Sequence, residues 1–217
     1  MNTKTRGRVL LTKEQRINFM KYPEDDWSIG SYYTFSKEDI EIIKSHRKED
    51  NQLGFAVQLA VLRYPGWSFN SNNDIPDTVV KYIANQVGTV PKVLNYYATR
   101  GNTSRDHIKE IRETYSYTSF SPKESNITMK YLISLALEND DSLFLIDRCI
   151  YFLRQSKVIL PAITTIESLV WEVKEIAEAT IIDTIISYLS DEQRMELYDR
   201  GTIIIGGNGY WNHPCEK

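Results

Sequence analysis

The feature that most restricts this chain is its punctuation. A Ser or Thr stands three residues ahead of a Gln or Asp at Thr12 to Gln15, Ser36 to Asp39, Thr103 to Asp106 and Ser190 to Gln193. In such a capping box the hydroxyl accepts from the backbone N–H three residues on, and the amide or acid reaches back to the cap. Two of the donors that a helix N-terminus leaves unpaired are thereby satisfied. Apolar residues then recur at helical spacing, as Ile40 and Ile43 and again as Ile108 and Ile111. A strand would alternate with a period of two instead, so the chain reads as nearly all helix.

The expected helices follow from these starts and from the stops between them. One begins near Lys13 and ends before Pro23; another opens at Ser36; a third is capped by Asp50 or Asn51, runs through Phe55, Leu59 and Leu62, and ends at Pro65 and Gly66. Two short helices follow, one closed by Gly88 and one with Pro91 in its first turn, where proline gives up only an N–H that lacks a partner anyway. Thr103 caps the next. A polar loop, YSYTSFSPKESN, leads to helices at 127–138, 142–156 and 164–189, the last capped at Thr164 or Thr165, before the Ser190 box opens a short final one. The expected fold class is all-α: a helical bundle with helix-turn-helix-like modules, followed by a second helical subdomain. We divide the chain into a basic region 1–118, itself composed of modules 1–70 and 71–118, an acidic subdomain 119–200 and an atypical tail 201–217.

Charge supports that division. The chain of 217 residues has a net charge of −3, yet residues 1–123 hold 18 Lys+Arg against 14 Asp+Glu, while residues 124–217 hold 8 against 15. Such asymmetry points to an anionic partner for the basic half, or to solvated helix faces that drift in charge. No apolar run is long enough to span a bilayer, the basic N-terminus lacks the apolar core of a signal peptide, and Cys149 and Cys215 form neither a disulfide framework nor a zinc motif. A cytoplasmic location is expected, with no cofactor. The carboxylates Asp140, Asp141, Asp147, Glu167, Glu172, Glu175 and Glu178 are spaced as solvated faces and not as a two-metal site.

The local arrangement around residue 105 carries the functional expectation. Helix, turn, helix, turn, helix over residues 76–114 has the helix-turn-helix layout. At about 100° per residue, Ile108, Ile111 and Tyr115 share one side of the last helix, Arg105, Lys109 and Arg112 a second, and Asp106, Glu110 and Glu113 a third. Asn102, Thr103, Ser104 and Arg105 form its N-terminal end, where a recognition helix touches bases and where free N–H groups suit phosphate. His107 lies on this helix as a DNA contact or as a half-buried residue. Lys92, Asn95, Tyr97 and Arg100 flank the turn as phosphate contacts, with Tyr96 and Tyr97 equally suited to packing. Lys4, Arg6 and Arg8 form an arm suited to a minor groove or a frayed terminus, and Lys44, Arg47 and Lys48 a second basic cluster at a helix end.

In order and at this spacing, LLTKEQR, YYTFSKEDIEII, NQLGFAVQLAVLRYPG, RGNTSRDHIKEI and VILPAITTIESLVWE resemble the N-terminal region of replicative transposases of the Tn-three (class II) family, from about residue 8 to about 200. The resemblance implies a helical region that binds the terminal inverted repeats of a transposon as double-stranded DNA. The matched RG…T.R..H..EI pattern falls on Arg100, Gly101, Thr103, Arg105, His107, Glu110 and Ile111. It also implies that the RNase H-like catalytic domain lies far downstream of everything matched, so this chain is not expected to cut or join DNA. The acidic subdomain would then meet other parts of a transposase or a second copy of the chain. The reading from another class is a protein-interaction module whose basic stripe is merely solvated. A nuclease or recombinase site would need clustered acids, or a tyrosine among arginines, and no spacing demands either.

Overall fold

The computed structural model describes residues 9–69, 75–97 and 101–199. Among them α1 (Lys13–Met20), α2 (Asp26–Tyr33), α3 (Lys37–Ser45), α4 (Glu49–Arg63) and α5 (Asp77–Val87) precede a 3-10 helix at Pro91–Tyr96. There follow α6 (Gly101–Tyr115), β1 (Thr118–Ser119), α7 (Pro122–Ala136), α8 (Ser142–Gln155), β2 (Val158–Ile159), α9 (Ile163–Ser187) and α10 (Asp191–Asp199). The all-α expectation holds, with a two-residue parallel strand pair as a minor addition.

Three of the four capping boxes close as expected. Thr12 with Gln15 and Ser36 with Asp39 exchange both bonds, and Ser190 does the same with Gln193. The fourth does not: α6 starts at Gly101, which places Thr103 and Asp106 inside the helix. Other boundaries also need correction. Lys48, with no side-chain cap, precedes α4, so Asp50 and Asn51 are helical; α7 begins at Pro122 after its cap Ser121, and not at 127; α9 begins after Ala162, uncapped by a side chain. α2, capped by Asp25, was missed, because IGSYY carries no apolar period that marks it. The turn at Pro91 is 3-10 and not α. Gly88 ends α5 in the left-handed conformation, φ 74°, where a Cβ would be strained.

Two apolar cores result. In the first, α4 is the axle: its residues from Leu53 to Leu62 are all buried, and α2, α3, α5, the 3-10 helix and α6 pack around it. A helix buried on every side must be apolar on every side, which is why LGFAVQLAVL shows so little amphipathic contrast. The second core gathers Leu132, Leu145, Leu153, Val170 and Val173 from α7, α8 and α9, with Leu11 from the segment before α1. Past Ala177, α9 runs beyond this core, leaving Ile181, Ile185 and Tyr188 exposed.

Leu11 is held by a buried carboxylate. Glu167 is 3% exposed; its Oε1 accepts from the backbone N–H groups of Leu10 and Leu11, and Arg16 pairs with it at 2.8 Å. Glu167 was expected on a solvated face; burial of a charge is tolerable here because three donors converge on it. The two cores meet along a seam where β1 pairs with β2. Next to it Leu160 N–H donates to the Gly66 carbonyl, Trp67 Nε1–H to that of Pro161, and Arg154 Nε–H to that of Pro65.

Candidate nucleic-acid interface

Helix α6 is placed by what it buries. Ile111 is fully buried, Ile108 and Tyr115 are partly so, and α4 receives that side. Arg105, Lys109 and Arg112 remain exposed, as does Asn102, while Thr103 is half-buried. Asp106 and Glu113 are also exposed, so the outward ridge is mixed and the basic residues form one side of it; Lys109 lies 3.9 Å from Glu113.

Two residues grouped with this surface face the other way. His107 is 5% exposed, and its Nδ1 lies 2.9 Å from the Tyr97 hydroxyl. Ser104 turns its hydroxyl inward to Gln58 Nε2 at 2.8 Å. Ser104 is a correction and His107 takes its buried alternative, with one cause: positions 104, 107, 108 and 111 form the side of α6 that α4 and the 3-10 helix cover.

Gln58 itself was not foreseen. It is 1% exposed, and its amide donates to the Tyr97 hydroxyl at 2.7 Å and to Ser104, both carbonyl (3.1 Å) and hydroxyl. The signal that could have found it is a single amide amid the apolar run FAVQLAVL, since a polar side chain there must have a partner. Burial and the neighbouring His46 push the His107 imidazole down to about 4, against the opposing pull of Asp106. His107 is therefore neutral near pH 7. Burial raises the Tyr97 hydroxyl well above its ordinary value.

The other cations sit on separate elements. Lys44, Arg47 and Lys48, at the end of α3 and the start of α4, are exposed. Between them and α6 stands His46, whose ring lies 4.6 Å from that of His107 and whose Nε2 lies 3.7 Å from Glu110. Arg112 borders the opposite side of α6, beside a depression lined by Ile108, Ser68, Ser119, Phe120 and Pro161. Two positions along a helix turn through about 200°, so Glu110 and Arg112 point in nearly opposite directions. The α3 cluster and the α6 arginines thus flank one helix from its two sides. Lys92 and Asn95 are exposed on the 3-10 helix, and Tyr97 is buried. Lys4, Arg6, Arg8, Arg100 and the tail 201–217 lie outside the described residues.

Among the described residues no three His, Cys, Asp or Glu side chains converge as a metal site, and no helix is long and apolar enough to cross a membrane.

Residues 10–173 match a family described as Domain of unknown function (DUF4158). The transposase for transposon Tn1546 of Enterococcus faecium is 52% identical over 192 residues, 88% of this chain and 19% of that protein. The transposase for transposon Tn501 of Pseudomonas aeruginosa is 30% identical over 204 residues, covering 94% of this chain and 21% of its own length. The transposase for transposon Tn21 of Escherichia coli is 30% identical over 192 residues, 88% and 19% respectively. The chain spans about a fifth of the length of these curated relatives, and the resemblance to Tn-three-family transposases stands on them.

Proposed function

The chain belongs to the DUF4158 family, and from that membership we propose that it is a DNA-recognition segment of a Tn-three-family transposase, directed at the terminal inverted repeats of the transposon. The observation that carries this reading is the exposed basic side of α6, Arg105, Lys109 and Arg112, on a helix whose other side is locked into the first core. Asn102 and Thr103 extend the contact to the N-terminal end, where helix N–H groups suit phosphate.

Cations on both sides of α6 suit a major groove. A groove about 12 Å wide has a phosphate wall on each side of an inserted helix. Arg112 faces one wall and Lys44, Arg47 and Lys48 face the other across His46, while Arg105, near the N-terminal end, reaches the base edges. Glu113 is held by Lys109, so repulsion is lessened at that end. His107 and Ser104 have no DNA contact in this reading and serve to hold the helix. Lys92 and Arg100 are backbone contacts in this reading, and Arg6 and Arg8 a minor-groove arm. Cutting and joining of DNA belong to other parts of a full transposase.

Fluorescence anisotropy tests this with a duplex of the inverted repeat and a scrambled duplex of equal length, at several salt concentrations. The repeat should bind more tightly, both affinities should fall with salt, and Arg105→Ala should reduce the preference by about 1–3 kcal/mol. Its effect on folding stability should stay within about 0.5 kcal/mol, since Arg105 is exposed. Equal and feeble binding to both duplexes sinks the reading in favour of a protein-interaction module.

A further inference from the structure

Resting on that reading, we propose that Gln58 and Tyr97 are positioning residues for sequence selectivity: a directed hydrogen-bond chain from α4 sets where the DNA-reading end of α6 sits.

The direction of the chain follows from what each atom can do. The Gln58 atom that faces Ser104 lies 3.1 Å from its backbone carbonyl, which only accepts, so that atom is the amide nitrogen. The same nitrogen lies 2.7 Å from the Tyr97 hydroxyl, which must therefore accept from it. The hydroxyl's own proton then goes to His107 Nδ1 at 2.9 Å, and His107 carries its hydrogen on Nε2. One amide thus grips α6 twice: directly at Ser104, and through Tyr97 at His107, one helical turn on.

Tyr97 is seated by an absence. A Cβ on Gly54 would lie 2.0 Å from the Tyr97 ring, so only glycine lets the ring lie against α4. Gly54 and Gln58 are four residues apart and share one side of α4, where together they form a socket for ring and hydroxyl. The residues locked by this socket, Ser104 and His107, alternate along α6 with Arg105 and Lys109, which face outward. A shift of the first two turns would carry the base-contacting side chains with it. Base contacts depend on such placement, whereas long cationic side chains follow a phosphate through small displacements. Loss of the chain should therefore lower selectivity more than it lowers affinity for DNA in general.

The test uses the full chain and the two duplexes above, with Gln58→Met, Tyr97→Phe and the double variant. Tyr97→Phe keeps the ring against Gly54 and removes only the hydroxyl, so it guards against a Gln58→Met protein that does not fold. Each single variant should bind the inverted repeat about tenfold more weakly, the factor that corresponds to about 1.4 kcal/mol. Affinity for the scrambled duplex and the salt slope should not change, and hydrogen exchange at the amides of Ser104 to Ile108 should quicken. The double variant should be little worse than either single one, because both break one chain. If the singles weaken both duplexes equally, or weaken neither, while Arg105→Ala still lowers selectivity, the positioning role is overturned and end recognition stands. If the unaltered chain binds both duplexes alike, end recognition falls and the positioning role with it.

Discussion

Around α4 the chain buries polar groups that must find particular partners, whereas around α9 it buries mostly hydrocarbon. The first core encloses Asp39, Gln58 and His107; the second encloses Thr128, whose hydroxyl donates to a carbonyl of its own helix, and Glu167. Asp39 shows what the first arrangement demands. Burial raises its carboxyl, but two bonds from Arg63, at 2.9 and 2.8 Å, and the Ser36 backbone N–H hold it below the usual range. Arg63 in turn lies over the rings of Phe35 and Tyr115, which ties α3 and α4 to the end of α6. Apolar contacts tolerate exchange of one hydrocarbon for another of like volume, but directed bonds between buried atoms do not. A core of the first kind fixes the position of one helix; a core of the second kind supplies bulk stability.

That contrast can be broken most sharply at Gly54. Gly54→Ala should cost about 3 kcal/mol, because its Cβ would overlap the Tyr97 ring and force it off α4. Leu132→Met in the second core should cost less than about 1.5 kcal/mol, since volume and chemistry are nearly kept. Urea unfolding of the two variants compares them directly, and equal costs would erase the distinction.

A smaller effect, about 2 kcal/mol, is expected from Glu167→Ala. It leaves the N–H groups of Leu10 and Leu11 and the Arg16 guanidinium without their acceptor. The second core should otherwise persist, so hydrogen exchange should quicken from Leu10 to Arg16 and stay slow in α7 to α9. Equal loss of protection in all of them would mean that this core, too, depends on one polar cluster.

The remaining effect concerns acid and is the smallest per unit of pH. His107 is pushed down from 6.5 to about 4 in the fold by burial and by His46, so the unfolded chain takes up the proton first as pH falls. Its contribution is complete well above pH 6.5 and is lost progressively toward pH 4, at about 1 kcal/mol per pH unit between the two. Unfolding midpoints from neutrality to about pH 5 should fall more steeply for the unaltered chain than for His107→Gln. Identical slopes would show that the imidazole is not buried neutral.

Helix positions were legible where a capping box or a glycine stop marked them, as at Thr12, Ser36, Gly88 and Ser190. They were illegible where no side chain caps the start, as at α4 and α9, and at α2, whose Asp25 cap has no apolar period behind it. The exposed cations of α6 could be sorted from its buried side by their angle alone. Ser104 and His107 could not be placed, because hydroxyl and imidazole suit either water or a buried partner, and the partner stands on another element.

By itself the sequence determined the helical class, the helix starts at Thr12, Ser36 and Ser190, the basic side of α6 and the likeness to transposases, since caps, periodicity and ordered motifs all act over short stretches of chain. Only the tertiary structure decided that Gln58 answers Tyr97 across 39 residues and Glu167 answers Leu11 across 156. It alone put the α3 cations across α6 from its arginines. Which distant groups meet depends on how helices pack against one another, and a polar residue carries no mark of its partner until that packing brings the two together.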